Sequence, residues 1–534
     1  MLKRMLALSI FCTVAFGARL LAQEPVKAIG DWNPRIHFYA SPLWINDPNG
    51  PILLNGQYNL FFQNNPYGDQ WGHMSWGHAV STDLVHWKTL PVAIPEANGV
   101  AIFSGSTVED AHNTSGFCSD SKASKSNPGC LVAIYTGNSD ISPGNNRQNQ
   151  NLAYSRDGGK TWTKYAQNPV LDRERRDFRD PKVFWDETTR TWIMTVVVSD
   201  KHTVEFYRSS DLKHWNYLSE FGPTGAIGGV WECPDLLQLE VRDSKGKRVG
   251  NHWVLSVNLN PGGIAGGSGD QYFVGQFDGT RFTEDHPNSG QHWADWGKDF
   301  YASTAFSNIP ANQNQLWIAW MGNWQYAGVA PSLPGRGEMT LPRRIYLREE
   351  EETGDTEPLV LVQEPVLPPV SAAPKKSALS VDEANAKLGG KEPGDSVYLL
   401  RATLEPGSAS ELGIRLRRST LKPGETAEEE TVVGIDRAKG KIFVDRRHSG
   451  LVSFSSDFPA RTVAPLRHPQ AKTIPIEIVV DRNSVEVFAE NGETVLTNLI
   501  YPSDASQGLA FYANGVSAGG KAPAVLNLEV APLK

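Results

Sequence analysis

Three carboxylic acids stand beside prolines in similar surroundings. Asp47 lies in Trp44-Ile45-Asn46-Asp47-Pro48-Asn49-Gly50, Asp180 in Phe178-Arg179-Asp180-Pro181, and Glu232 in Glu232-Cys233-Pro234-Asp235. Two carboxyl groups are the usual apparatus for cleaving a glycosidic bond: one protonates the leaving oxygen while the other attacks the anomeric carbon or activates water. Taken singly, each motif reads as a turn, because Asn, Asp, Pro and Gly are turn formers. Together with Trp44, Trp71, Trp231 and Trp324, whose flat apolar rings suit the faces of sugars, they point to a carbohydrate site.

The elements that must bring these acids together are strands. From residue 30 to 345, short runs of Val, Ile, Tyr, Trp and Phe alternate with clusters of Gly, Asn, Asp and Pro, and long helical periodicity is scarce. Ser81-Thr82-Asp83-Leu84-Val85-His86-Trp87 recurs over Ser155 to Trp162 and over Ser209 to Trp215, and Asp278 to Phe282 resembles a worn fourth copy. A spacing of about 50 to 75 residues suits the blades of a β-propeller with long inserts. Each acid motif precedes an apolar run, a turn and another run, as in Val183-Phe184-Trp185 followed by Thr191 to Val196, and so opens a blade. Phe103-Ser104-Gly105-Ser106 and Asp299-Phe300-Tyr301-Ala302 hold the same place in two further units, giving five blades. Proline is tolerated at the first residue of an edge strand, and the innermost strand of a propeller is such an edge. The acids should therefore converge on the axis.

At 534 residues the chain exceeds the size of a single core. It is expected to divide into a signal peptide over 1–22, a five-bladed propeller over 30–350, a linker over 351–372 and a β-sandwich over 373–534. The linker is read from the acidic and then Pro-, Val- and Ala-rich stretch between Glu349 and Lys375. The sandwich is read from short alternating runs such as Ile476 to Val480 and Ser484 to Phe488, with Asn491-Gly492 as a hairpin signal. The fold class is thus all-β. A net charge of -8 argues against nucleic acid as a partner. Lys3-Arg4, the apolar run to Ala18 and the small residue Ala22 have the order of a signal peptide. No later run reaches the roughly 20 apolar residues of a membrane span, so a secreted or periplasmic protein is expected.

Cys12 would leave with the signal, and Cys118 and Cys130 bracket a short polar loop as a candidate disulfide. Cys233 has no C-x-x-C partner for zinc or redox chemistry and reads as a small buried filler; no metal and no cofactor are assigned. The glycine-rich stretch Gly262 to Gly269 lacks the Lys-Ser/Thr of a phosphate loop and reads as a flexible rim loop. Asn113-Thr114-Ser115 fits a glycosylation sequon.

The three acid motifs, in this order and spacing, resemble the signatures of glycoside hydrolase family 32, which includes invertases, inulinases and levanases. Phe103 to Ser106, Gly267 to Gly275, Asn323-Trp324-Gln325-Tyr326 and Asp481 to Phe488 resemble its exo-acting fructanases, so the likeness runs from about residue 30 to the C-terminus. The resemblance implies a five-bladed propeller with an appended β-sandwich. It also implies that Asp47 is the nucleophile, Glu232 the acid/base and Asp180 a transition-state stabiliser. Asn46, Gln63, Trp71, Ser104, Arg179 and Trp324 would line a fructose subsite, with Trp317 or Trp320 as alternatives to Trp324. Arg179 is expected to keep Asp180 ionised by charge proximity. The implied reaction is hydrolysis of terminal fructosyl units from levan, inulin or sucrose. Endo-fructanase, fructosyltransferase and non-catalytic fructan-binding lectin are the alternatives.

Overall fold

The computed structural model describes residues 30–118, 130–142, 145–287, 289–332, 334–350, 358–370, 376–394, 396–419 and 429–534. The expected signal peptide, with Cys12, and both ends of the expected linker lie outside the described residues. Among those described, no helix is long and apolar enough to cross a membrane.

Five strands form a closed ring: Trp44–Leu54, Val100–Glu109, Phe178–Asp186, Val230–Arg242 and Tyr301–Ala305. Each touches the next, and the last returns to the first. Each also begins a set of antiparallel strands, as in Trp44–Leu54, Gln57–Asn65, Ser75–Ser81 and Lys88–Ile94. The domain is a β-propeller, and its strand grouping is consistent with the five units read from the sequence. The repeated Ser-x-Asp segments turn the third strand into the fourth. Ser81 Oγ accepts from the Leu84 N–H at 2.9 Å, Asp83 Oδ1 from the His86 N–H at 2.8 Å, and Trp87 Nε1 donates to Leu84 O. Ser155, Asp157 and Trp162, and again Ser209, Asp211 and Trp215, repeat the device.

All five inner strands lose register with their neighbours at one level: between Ile45 and Pro48, Ile102 and Gly105, Arg179 and Lys182, Glu232 and Asp235, and Tyr301 and Thr304. At such a β-bulge two residues face one, the strand bends, and side chains are re-aimed. Asp180, Cys233 and Ala302 take φ of 63°, 46° and 56° there. These values are uncommon for residues with a Cβ and mark backbone dictated by its surroundings. The acids thus share a level but not a position. Glu232 precedes its bulge, Asp180 is the first bulged residue of its strand, and Asp47 is the second of its own. The motifs had been treated as equivalent, whereas the structure offsets them by one residue at each step.

The stretch expected to be linker contains a strand, Leu359–Pro365, antiparallel to Arg343–Glu349 in the propeller. Acidic residues before it and prolines after it mask a short apolar alternation. Beyond it, two sheets of the second domain face each other. One holds Tyr398–Glu405, Ile474–Val480, Ser484–Ala489 and Thr494–Leu499, and the other Glu411–Arg418, Glu430–Asp436 and Lys441–His448. Leu400, Ile478 and Val487 from the first meet Leu412, Ile435 and Ile442 from the second in one buried cluster. A helix over Val381–Leu388, not foreseen, starts on a capping box between Ser380 and Glu383 and ends at Gly389.

Buried charges fasten the sandwich to the propeller. His37 lies between Asp481 (2.8 Å) and Glu486 (2.9 Å), and Arg343 reaches Asp295 (3.1 Å) and Glu486 (2.5 Å). Arg446 reaches from the sandwich to Asp299 (2.5 Å) and to the Tyr326 hydroxyl (2.8 Å). Breaking such a pair costs about 3–5 kcal/mol, because the remaining charge is left buried and uncompensated.

Candidate active site

The bulges gather the three carboxyl groups, two of them at Cys233. Its N–H donates to Asp180 Oδ2 at 2.9 Å, and its Sγ lies 3.6 Å from that oxygen and 3.8 Å from Asp47 Oδ2. Cys233, expected to be a small buried filler, does pack against the cluster of Trp44, Met74 and Tyr301, and it also forms part of the site. Its thiol is pushed up by burial and by the surrounding negative charge, so it stays protonated. Glu232 joins the group through Arg179, whose Nε is 3.0 Å from Glu232 Oε1 and 3.9 Å from Asp180 Oδ2.

Each acid has its own support. Asn46 Nδ2 donates to Asp47 Oδ1 at 3.0 Å and Ser104 Oγ to Oδ2 at 2.7 Å, while Trp44 Nε1 fixes the Asn46 amide at 2.8 Å. Burial, with the charge of Glu232 behind it, raises the Asp47 carboxyl above its usual range; the Asn46 and Ser104 donors pull the other way. The Asp180 N–H donates to Thr136 Oγ1 (2.9 Å), Thr136 to Gln150 Oε1 (2.9 Å), and Gln150 Nε2 to Phe178 O (2.9 Å), which pins the strained turn from behind. Burial raises Asp180 too. Arg179 opposes the shift but does not reverse it, because Glu232 and Asp47 add negative charge on the other side. Arg179 thus acts on Asp180 in the expected direction, but its guanidinium is shared with Glu232 and with Asp177 at 3.1 Å. Glu232 also accepts from the Tyr301 hydroxyl, and its side chain is 21% exposed. Tyr301 was missed as a site residue. The signal was present, since its segment had been aligned with the acid motifs.

The remaining residues divide. Gln63 sits opposite the Asn46–Asp47 bulge, buried, with its Nε2 unpartnered. Trp71 is 53% exposed, edge-on to Phe103 at 6.3 Å. Trp324 stacks on Trp44 (6.0 Å, 27°) and leans on Trp320 (4.9 Å). Trp317 and Trp320 are both buried and do not take its place. Trp231, considered for a sugar-facing wall, is also buried, with its Nε1 bonded to Ala226 O. The glycine-rich rim stretch is fastened rather than loose: Asn323 Nδ2 donates to Gly266 O (3.0 Å), and the Trp324 N–H to Ser268 Oγ (3.0 Å). Gly267 has φ of 73°, and a Cβ there would fall 2.1 Å from Asn323 Oδ1. Cys118 and Cys130 are joined as a disulfide, with Cα atoms 5.6 Å apart.

Clustered carboxyl groups, an arginine shared between two of them, and tryptophans beside them at one level of a propeller axis form the apparatus of a glycoside hydrolase. The chain belongs to the glycosyl hydrolases family 32: the model of that family's N-terminal domain matches residues 37–365, and the model of its C-terminal domain residues 370–532. It is 42% identical to a levanase of Bacillus subtilis (strain 168) over 541 residues, covering 99% of this chain and 74% of the relative. It is 38% identical to an extracellular exo-inulinase of Aspergillus awamori over 546 residues, covering 96% of each. The crystal structure of the exo-inulinase from Aspergillus awamori superposes with a TM-score of 0.82 at 36% identity, covering 94% of this chain and 98% of that one. A fructofuranosidase from Schwanniomyces occidentalis complexed with fructose gives 0.81 at 31%, covering 95% and 99%.

Proposed function

We propose that this protein is an exo-acting β-fructosidase that removes terminal fructose from fructans such as levan and inulin, with retention, and also cleaves sucrose. The observation that carries the reading is the gathering of Asp47, Asp180 and Glu232, two of them at Cys233, each acid with its own set of donors. The levanase and exo-inulinase relatives support the substrate class.

Asp47 attacks C2 of the fructosyl unit as Glu232 gives its proton to the departing oxygen. Water then attacks C2 of the fructosyl-enzyme, Glu232 takes its proton, and Asp47 leaves as carboxylate. Asp180 forms no covalent bond; it bonds fructose hydroxyls and favours positive charge at C2 in the transition state. The unpartnered Gln63 amide and the exposed Trp71 face suit hydroxyl and ring contacts. An exported protein is proposed from the N-terminal sequence and from the extracellular exo-inulinase relatives.

Product analysis after parallel incubation with levan, inulin and sucrose tests the reading. Fructose alone should appear from the polymers, and Asp47→Asn and Glu232→Gln should each abolish its release. Oligosaccharide products would favour an endo-fructanase or a fructosyltransferase, tight binding without turnover a lectin, and full activity in either variant would refute the assignment of roles.

A further inference from the structure

Between the propeller and the sandwich, directly behind the tryptophans of the pocket, lies a cavity of about 40 Å³ lined by Trp320, Glu338 and Asn483 among others. At roughly 10–15 Å³ per water it has room for about three or four. Three of its lining side chains, each no more than 3% exposed, carry an atom without a hydrogen-bond partner: Glu338 Oε2, Asn483 Oδ1 and Trp320 Nε1. The other ends of two are joined, since Asn483 Nδ2 donates to Glu338 Oε1 at 2.8 Å. A buried polar atom left unmatched is destabilising, so a donor and two acceptors lining one small cavity define a site for ordered water.

What the cavity backs gives this site a consequence. The Trp320 ring lies 4.9 Å from Trp324, 6.4 Å from Trp44 and 6.4 Å from Tyr301. Tyr301 in turn donates to Glu232. We propose that Glu338 is a positioning residue: with Asn483 of the sandwich and bridging water it sets the Trp320 indole, and through it Trp324 and Tyr301. The C-terminal domain thereby takes part in shaping the pocket. The inference rests on the proposed β-fructosidase activity only for its assay.

The protonation of Glu338 follows from its surroundings. Burial pushes its carboxyl up to about 8, His37 opposes, and Asp481 and Asp299 reinforce the rise. Arg446 compensates Asp299, and Arg336, Tyr39, Tyr326 and Tyr501 are the other charged or titratable groups lining the cavity. Below that pH Glu338 is neutral and can both donate and accept. Above it, an extra negative charge enters a cavity where Asp481 and Asp299 already lie near.

Glu338→Gln keeps the shape and hydrogen-bonding capacity of the neutral acid and cannot ionise. The test compares kcat and KM for inulin across pH in the full-length wild type, Glu338→Gln, Glu338→Ala and Asn483→Ala, with thermal melts to confirm folding. The wild-type KM should climb as pH passes about 8, and Glu338→Gln should match the wild type at acid pH without that climb. Glu338→Ala and Asn483→Ala should raise KM by about tenfold at every pH, as expected when a supporting contact shifts a wall of the pocket. An unaltered alkaline climb in Glu338→Gln overturns the proposal, and this variant carries the test if the alanine variants do not fold. Absence of fructose release by the wild type would instead refute the activity.

Discussion

Replacing Ser104 by Ala deletes one hydroxyl from the neighbouring inner strand and leaves the fold alone. Its Oγ donates at 2.7 Å to Asp47 Oδ2, one of two side-chain donors that offset the upward pull of burial on this carboxyl. A hydrogen bond to an ionised group contributes about 1.5–3 kcal/mol. At 1.36 kcal/mol per pH unit, its loss should raise the Asp47 pKa by about 1–2 units. The sign follows from the role proposed for Asp47: a nucleophile works as carboxylate, so activity falls as pH drops through its pKa, and the variant should lose activity at higher pH than the wild type. The assay is kcat/KM for fructose release from sucrose against pH, which reports the free enzyme. Because Asp47, Asp180 and Glu232 interact, the apparent value belongs to the cluster and the displacement between the two profiles is the quantity to compare. An acid limb that stays in place, with only a uniform loss of rate, would show that Ser104 does not hold Asp47 ionised.

Two further outcomes follow from the fastenings. Burial works against charge on His37, but Asp481 and Glu486 overcome it and hold the imidazole up to about 10, while Arg343 and His37 hold Glu486 down to about 2. The histidine contribution to stability is complete below its unfolded value of about 6.5 and is lost as pH rises through about 10; that of Glu486 is present above about 4.5 and fades as pH falls toward 2. His37→Ala should lower stability by roughly 3–5 kcal/mol near neutral pH, read as urea midpoints, and should flatten the alkaline decline; a variant that declines like the wild type would contradict this. Gly267→Val meets Asn323 and an unfavourable φ together, so it should displace Trp324 and raise KM for inulin with little change in melting temperature. Unchanged KM would mean that the rim stretch does not set that indole.

The sequence was most informative where backbone chemistry is local. Ser-x-Asp turns followed by tryptophan announce themselves because the side chains bond to main chain two to four residues away, and three copies at blade spacing disclose a propeller. The acid motifs were legible as a level on the axis for the same reason. Their one-residue offsets were not, because a bulge is defined by the partner strand, which the local sequence does not name. The fate of Cys233 hid in the same way: its thiol meets Asp47 and Asp180 only once φ turns positive at two successive blades. The helix over Val381–Leu388 was overlooked although Ser380 and Glu383 spell its cap, since it spans barely two turns in an all-β context. Trp231 and Trp324 look alike in sequence, and only tertiary packing sends one into the core and the other to the pocket.

The five register breaks leave two addresses on the axis that carry no acid, at Ser104 and at Ala302. Of the five inner strands, three bring a carboxyl group to this depth, at or beside the bulge, and two do not. A change of side chain at these two addresses would alter what the pocket grips, or at Ser104 how Asp47 is held, without touching a single strand pairing, so the propeller works as a fixed frame around an exchangeable set of fingertips. Selectivity in such a frame can drift by point substitution while the architecture stands still.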